Sequence, residues 1–232
     1  MANVVVTDTY ISDIANAIRA KNGITTTYLP SQMPAAISAI PTGGGTGFTA
    51  DRVAERTIFG SISGNASYIG SSAFQYCSFL TAASFPSCTS IRQYAFQYCS
   101  YLTTISFPVC TSIEYSAFQY CSSLTAASFP SCTSIGSYAF QYCSSLTAAS
   151  FPVCTSIGNY AFRSCYHLLS LYLTSVSQVP TLGTNVFSST PIGGYTTSTG
   201  GVYGSVFIPS SLYASFLTAT NWSLISYCIV SV

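Results

Sequence analysis

Charge is what this chain lacks most: Lys+Arg 6 and Asp+Glu 5 among 232 residues, a formal net charge of +1. So little charge leaves neither a basic footprint for nucleic acid nor an acidic counterpart, and no nucleic-acid partner is expected. Chemistry is short of parts as well. His167 is the sole histidine, no Asp follows Asp51, and from residue 57 onward only Arg92, Glu114 and Arg163 are charged. A Ser-His-Asp triad, or a Cys-His pair with an orienting acid, needs its groups within hydrogen-bond reach of one another, and the acid is missing. Paired carboxylates fail because Glu114 has no partner in the repeats. His167 reads as a surface or cap residue, and the chain is not expected to be an enzyme or to hold a cofactor or metal.

Further absences narrow the setting. The glycine-rich "PTGGGTG" at 41–47 lacks the Lys-Ser/Thr ending of a phosphate-cradling loop and reads as a linker. No apolar run approaches 18 residues, so no membrane insertion is expected. The start, "MANVVVTDTYISDIANAIRAKNG", has no positive segment ahead of an apolar run, so no signal peptide is read. The expected location is cytoplasmic as made, or within an assembly released by lysis.

What is present is repetition. With hydrophobic residues at 49%, the chain can bury the core of one sizeable domain plus a small appendage. The dipeptide Ala-Phe recurs at Ala73, Ala95, Ala117, Ala139 and Ala161, 22 residues apart each time, the mark of a stacked solenoid. Within one unit, Leu102, Ile105, Phe107, Cys110, Ile113, Ala117 and Phe118 follow L-x-x-I-x-F-x-x-C-x-x-I-x-x-x-A-F. This pattern resembles a leucine-rich repeat, and the trailing "AF..C" is similar to the BspA-like (Treponema-type) subfamily over residues 69–173.

The expected fold is a leucine-rich-repeat solenoid of 22-residue repeats, a parallel β-ladder with a mostly irregular convex side, carrying a small helical N-terminal module. In Leu124–Phe129, Ala127 and Phe129 should point inward and Thr125, Ala126 and Ser128 outward. One strand cannot bury its own apolar side, so copies stack about 4.8 Å apart. Pro86, Pro108, Pro130 and Pro152 end the strands, where a missing N–H costs least.

Five segments are expected. Residues 1–40 form an anchoring module, with helices over "SDIANAIRAKNG" and "SQMPAAISAI" too small to make a core alone; homo-oligomerisation through them, a trimer favoured, is expected. Residues 41–47 are the linker, and 48–68 a degenerate first turn with Ile58 in register with Leu80. The solenoid occupies 69–186. Residues 187–232 close it, with a loop from Ile192 to Gly201, a strand at Ser205–Ile208, a helix capped by Ser210 or Ser211, and Trp222 covering the end. The front pattern "ISDIANAIRAKNG....YLPSQMPAAISAI" resembles N-terminal segments of phage and prophage tail-associated proteins of Firmicutes, which implies a virion location.

Nine of the ten cysteines fall at 77, 88, 99, 110, 121, 132, 143, 154 and 165, a step of 11, with Cys228 outside the series. Two steps make one turn, so they form two columns at opposite ends of the strand. Neighbours within a column come within disulfide range, but a column of five leaves one thiol over. No C-x2-C pair suggests zinc. They are expected to be buried free thiols, small hydrophobes whose S–H points toward turn carbonyls, with disulfides the alternative.

Two surfaces repeat. The strand face offers small hydroxylated side chains such as Thr103, Thr104 and Ser106. On the convex side Gln75, Gln97, Gln119 and Gln141 adjoin Tyr76, Tyr98, Tyr120 and Tyr142, flanked by Tyr94, Tyr138 and Tyr160. An exposed aromatic stripe with amide neighbours suits stacking on sugar rings or contact with protein; the alternative is that the tyrosines only cover the core. Together these features lead to a non-enzymatic recognition protein contacting a host surface glycan or protein. A phage or prophage tail component is the leading form, with a bacterial BspA-like surface protein or a purely structural spacer as alternatives.

Overall fold

The computed structural model describes residues 4–5, 60–194 and 203–232. The helices expected in 1–40, the linker and Ile58 lie outside the described residues. Strand β1 (Val4–Val5) pairs in parallel with β2 (Gly60–Ser63), Val4 opposite Ile62. Thereafter the strands alternate between two ladders. The short ladder holds β3 (Tyr68–Ile69), β5 (Ser90–Ile91), β7 (Ser112–Ile113), β9 (Ser134–Ile135), β11 (Ser156–Ile157) and β13 (Thr181–Leu182) as one sheet of parallel neighbours. The other ladder holds β4 (Leu80–Ser84), β6 (Thr104–Ser106), β8 (Ala126–Ser128), β10 (Ala148–Ser150), β12 (Ser170–Tyr172), β14 (Ser205–Ile208) and β15 (Ile229–Ser231).

Register follows the sequence repeat. Ala148 lies opposite Ala126 and Ser170, and Ser134 lies opposite Ser112 and Ser156. As expected, Ala127 and Phe129 are buried while Thr125, Ala126 and Ser128 are exposed. At the first turn the register differs from the expected one: Gly60, not Ile58, stands opposite Leu80, and Ile62 enters the column of Ala83. Ile62 is the first apolar side chain of the described solenoid with a buried place to fill, and that sets the alignment.

Apolar columns running along the axis make the core. Phe74, Phe96, Phe118, Phe140 and Phe162 form one stack and Phe85, Phe107, Phe129 and Phe151 a second, nearly all fully buried. Each such ring removed from water contributes roughly 1.5–3 kcal/mol. The first stack runs on to Phe187, 5.9 Å from Phe162, although 25 residues rather than 22 separate the two. The extra residues are taken up at 174–180, ahead of β13.

The longer ladder is split. Its strands form one sheet ending at β6 and another beginning at β8, while the short ladder stays continuous past the same turns. At the break, Ile105 occupies the inward position that Ala83, Ala127 and Ala149 fill in neighbouring turns, and it remains half-buried where they are buried. A branched side chain between two methyl-sized neighbours is too large for that column.

After β14 comes a 3-10 turn (Ser210–Leu212), helix α1 (Tyr213–Thr218), a second 3-10 segment (Ser223–Cys228) and β15, which returns to pair with β14. The strand expected at Ser205–Ile208 is β14. The expected serine cap is not formed: neither the 3-10 turn nor α1 has a side-chain cap hydrogen bond. Pro209 leads into the turn instead, and the Ser210 N–H donates to the Val232 carbonyl at 3.1 Å. Trp222 lies fully buried 5.0 Å from Phe216 and 6.2 Å from Phe187, and its Nε1 donates to the Pro180 carbonyl at 2.7 Å. Among the described residues no helix is long and apolar enough to cross a membrane.

Candidate interaction surface

Each turn bends sharply at two residues in the left-handed backbone region. Tyr76, Tyr98, Tyr120 and Tyr142 have φ of 63, 62, 63 and 60°, and Tyr94, Tyr138 and Tyr160 lie between 58 and 61°. For an L-residue this conformation is disfavoured by roughly 1–2 kcal/mol, and glycine or asparagine is its usual occupant. In other turns of this chain the equivalent places hold Ser116, Ser164 and Asn185. Turn geometry therefore does not require tyrosine here.

The tyrosines form a ladder. Tyr76, Tyr98, Tyr120 and Tyr142 stack face to face, with successive centroids 4.8, 4.4 and 4.6 Å apart and planes within 3–9°. Tyr76 and Tyr98 are 42% and 36% exposed. Because the faces lie on one another, a ligand along the ladder meets ring edges and hydroxyls, not the open faces that sugar stacking requires. Burial, and then the neighbouring phenols of Tyr98 and Tyr142, push the Tyr120 hydroxyl pKa upward.

The glutamines take a different position from the one expected. Gln97 and Gln141 are buried and Gln75 and Gln119 half-buried. Each side-chain amide donates to the next along the axis: Gln75 to Gln97, Gln97 to Gln119, Gln119 to Gln141. A buried amide must find a partner, and at this spacing the nearest one is its own repeat-mate. Sequence placed the glutamines beside the tyrosines but could not show that they turn inward.

A second aromatic row contains a residue that the repeat pattern missed. Tyr115 packs edge-on against Tyr94 and Tyr138, at 5.4 Å from each, and Tyr138 stacks on Tyr160 at 5.1 Å. Tyr115 stands one place out of register, with Ser116 in the column, so alignment on Ala-Phe passes over it. At the end of this row the Arg163 guanidinium lies 5.5 Å from the centre of the Tyr160 ring. Phe79 and Tyr101, both exposed, form a further stacked pair at 6.2 Å in the first turns.

All ten cysteines are free and buried. In one column the thiols of Cys99, Cys121, Cys143 and Cys165 point to the carbonyls of Phe74, Phe96, Phe118 and Phe140, 25 residues earlier, at 3.1–3.2 Å. In the other, Cys88, Cys110, Cys132 and Cys154 point to the carbonyl two residues on, at 3.3 Å. Burial pushes Cys88 and Cys154 up to about 11; burial and then the neighbouring Cys88 push Cys110 up to about 12. A thiol held this far from its thiolate stays protonated at neutral pH and acts as a small apolar side chain with an S–H donor. His167 is exposed, its Nδ1 2.6 Å from the Ser144 carbonyl oxygen, and among the described residues no three His, Cys, Asp or Glu side chains gather to hold a metal.

Two parallel ladders that recur every 22 residues around buried Leu, Phe, Ile and Cys columns define a leucine-rich-repeat solenoid. The chain belongs to the BspA type leucine-rich repeat family, whose pattern matches residues 67–192 in six copies. It is similar to a solved leucine-rich repeat protein from T. pallidum, with 26% identity and a TM-score of 0.53 over 62% of this chain and 69% of that one. It is also similar to a leucine-rich cell surface protein from Faecalibacterium prausnitzii A2-165, with 22% identity and a TM-score of 0.44 over 61% of this chain and 47% of that one. A leucine-rich repeat protein from Bacteroides ovatus ATCC 8483 follows, at 24% identity and 0.38, covering 63% and 48% of the two chains. No curated protein matches the chain in sequence.

Proposed function

We propose that this chain is a non-enzymatic interaction module of the bacterial surface-protein kind, and that the outer tyrosine ladder is the part that touches a host glycan or protein. One observation carries the reading: bulky aromatic residues occupy a left-handed backbone position that serine fills in the later turns, at Ser164 and Ser189, and two of them are substantially exposed. Their edges and hydroxyls, set beside an almost uncharged surface, favour hydrogen-bonded and apolar contact over ionic steering. Membership in a repeat family of interaction scaffolds supports this assignment, and nothing in the family or the site points to catalysis.

The pattern in residues 1–40 supports a second reading, a phage or prophage tail component assembled as a trimer through that segment. Only Val4–Val5 of it lies within the described residues. Tail or baseplate genes beside the coding sequence would favour this second reading, and a surface-export neighbourhood the first.

The ladder itself is tested by the double variant Tyr98→Gly/Tyr120→Gly, because glycine keeps the turn while removing two rungs. Binding to glycan arrays and host cells is expected to fall at least about tenfold, a loss of about 1.4 kcal/mol, with the thermal midpoint little changed. Undiminished binding by a folded double variant removes the ladder from the binding surface.

A further inference from the structure

At the far end of the solenoid, two turns beyond the last tyrosine of the ladder, a cavity of about 320 Å³ opens between the last turn and the cap. Phe187 and Leu182 line its solenoid side, Leu224 and Ile225 its cap side. Its polar lining comes from Asn185, Asn221, Ser188 and Ser189, and none of its lining residues is ionisable. The volume lies at the lower end of the range for small-ligand sites.

Three of the polar residues are held in the left-handed region: Asn185 at φ 54°, Ser189 at 59° and Asn221 at 64°. Such conformations persist only where surrounding structure fixes them, so the rim is pre-set. Asn221 ties cap to solenoid through its Nδ2, which donates to the carbonyls of Leu182 at 2.6 Å and Gly183 at 3.2 Å. Asn185 donates to the Tyr160 hydroxyl at 3.4 Å. The hydroxyls of Ser188 and Ser189 make no hydrogen bond with other described residues, and both side chains are half-buried. The exposed Leu224 side chain beside hydroxyl and amide groups that both donate and accept matches one class of small molecule: a sugar presents a C–H face with a rim of hydroxyls that also donate and accept. The absence of charge disfavours anionic or cationic ligands, whose desolvation nothing here would offset.

We infer that this cavity is a second binding site, separate from the ladder, for an uncharged saccharide of one or two rings. Ser188 and Ser189 hydrogen-bond its hydroxyls, the Asn185 amide engages the edge of the ring, and Leu224 meets its C–H face.

Ser189→Tyr provides the test. Ser189 shares the backbone conformation of Tyr98 and Tyr120, so the fold accommodates tyrosine there, and the added ring crowds the cavity wall that Ser189 lines. Asn185→Gly removes the amide from a position where glycine is equally comfortable. Saturation-transfer NMR on the full chain would be run with glucose, galactose, N-acetylglucosamine, cellobiose and glucuronate as probes. At least one neutral probe is expected to bind; Ser189→Tyr should abolish the signal and Asn185→Gly reduce it several-fold, while Tyr98→Gly/Tyr120→Gly leaves it unchanged. Binding by no neutral probe, binding by glucuronate alone, or neutral binding that survives both cavity variants overturns the inference. None of these results bears on the ladder, whose own variants leave the cavity intact.

Discussion

The molecule carries two aromatic ladders of identical period, phenylalanine inside and tyrosine outside, and they stack differently. Inside, Phe96, Phe118 and Phe140 follow one another at 5.2 Å, and each also meets the second phenylalanine column at a steep angle, as Phe118 meets Phe107 at 67°. Outside, the tyrosines from Tyr76 to Tyr142 close to 4.4–4.8 Å and lie nearly parallel, within 3–9°. The inner rings take an offset that satisfies two sets of neighbours at once. The outer rings follow the solenoid repeat, about 4.8 Å, and stack face to face on one another. An inner rung is therefore held from several sides, whereas an outer rung can be removed with little loss of packing.

Alkali should break this contrast with the largest effect. The thiols among the inner columns have folded pKa values raised from an ordinary 9.0 to about 11 or 12 for Cys88, Cys154 and Cys110. Because the folded state disfavours the thiolate, their contribution is complete below pH 9 and is lost as pH rises through 11 to 12. Between pH 9 and its folded pKa, each such thiol lowers stability by about 1.4 kcal/mol per pH unit, and no further above it. Denaturant midpoints should be flat from pH 7 to 8.5 and collapse between pH 9 and 11; a flat profile to pH 11 would mean that the columns are not buried thiols.

Next in size is the removal of one inner rung. Phe118→Ala should destabilise by roughly 3–5 kcal/mol in urea unfolding, since it leaves a cavity between two ring stacks. A loss under about 1 kcal/mol would show that the inner ladder is no better held than the outer.

The outer rung gives the smallest and most discriminating effect. Tyr120→Ala loses two stacking contacts and keeps the unfavourable left-handed backbone, whereas Tyr120→Gly loses the contacts and relieves the backbone. Glycine should therefore be the more stable of the two by about 1 kcal/mol, close to wild type. Equal stabilities would mean that the turn does not hold the left-handed conformation in solution.

Much of this was legible in the sequence, because a repeat writes its own register. The spacing of Ala-Phe fixed the turn length, the step of 11 sorted the cysteines into two columns, and Leu, Phe and Ile marked the core. Less legible was everything that depends on the neighbour across the stack. Gln97 and Tyr98 are adjacent letters, yet one is buried in an amide chain and the other stands at the surface, and no periodicity separates them. Tyr115 escaped because a one-residue shift removes a side chain from its column in sequence while the row in space still accommodates it. Ile105 fits the written pattern better than alanine does, yet it coincides with the break in the ladder.

The sequence alone determined the solenoid, its period, its two cysteine columns and the shortage of charge, because each of these is set by residue identity and, for the first three, by its repetition at a fixed interval. Only the tertiary structure decided which faces remain open. Stacking turned the tyrosine faces onto one another, drew the glutamines inward, and left a cavity where the last turn meets a cap from a different part of the chain. These outcomes depend on contacts between turns and between solenoid and cap, distances that a linear repeat does not contain.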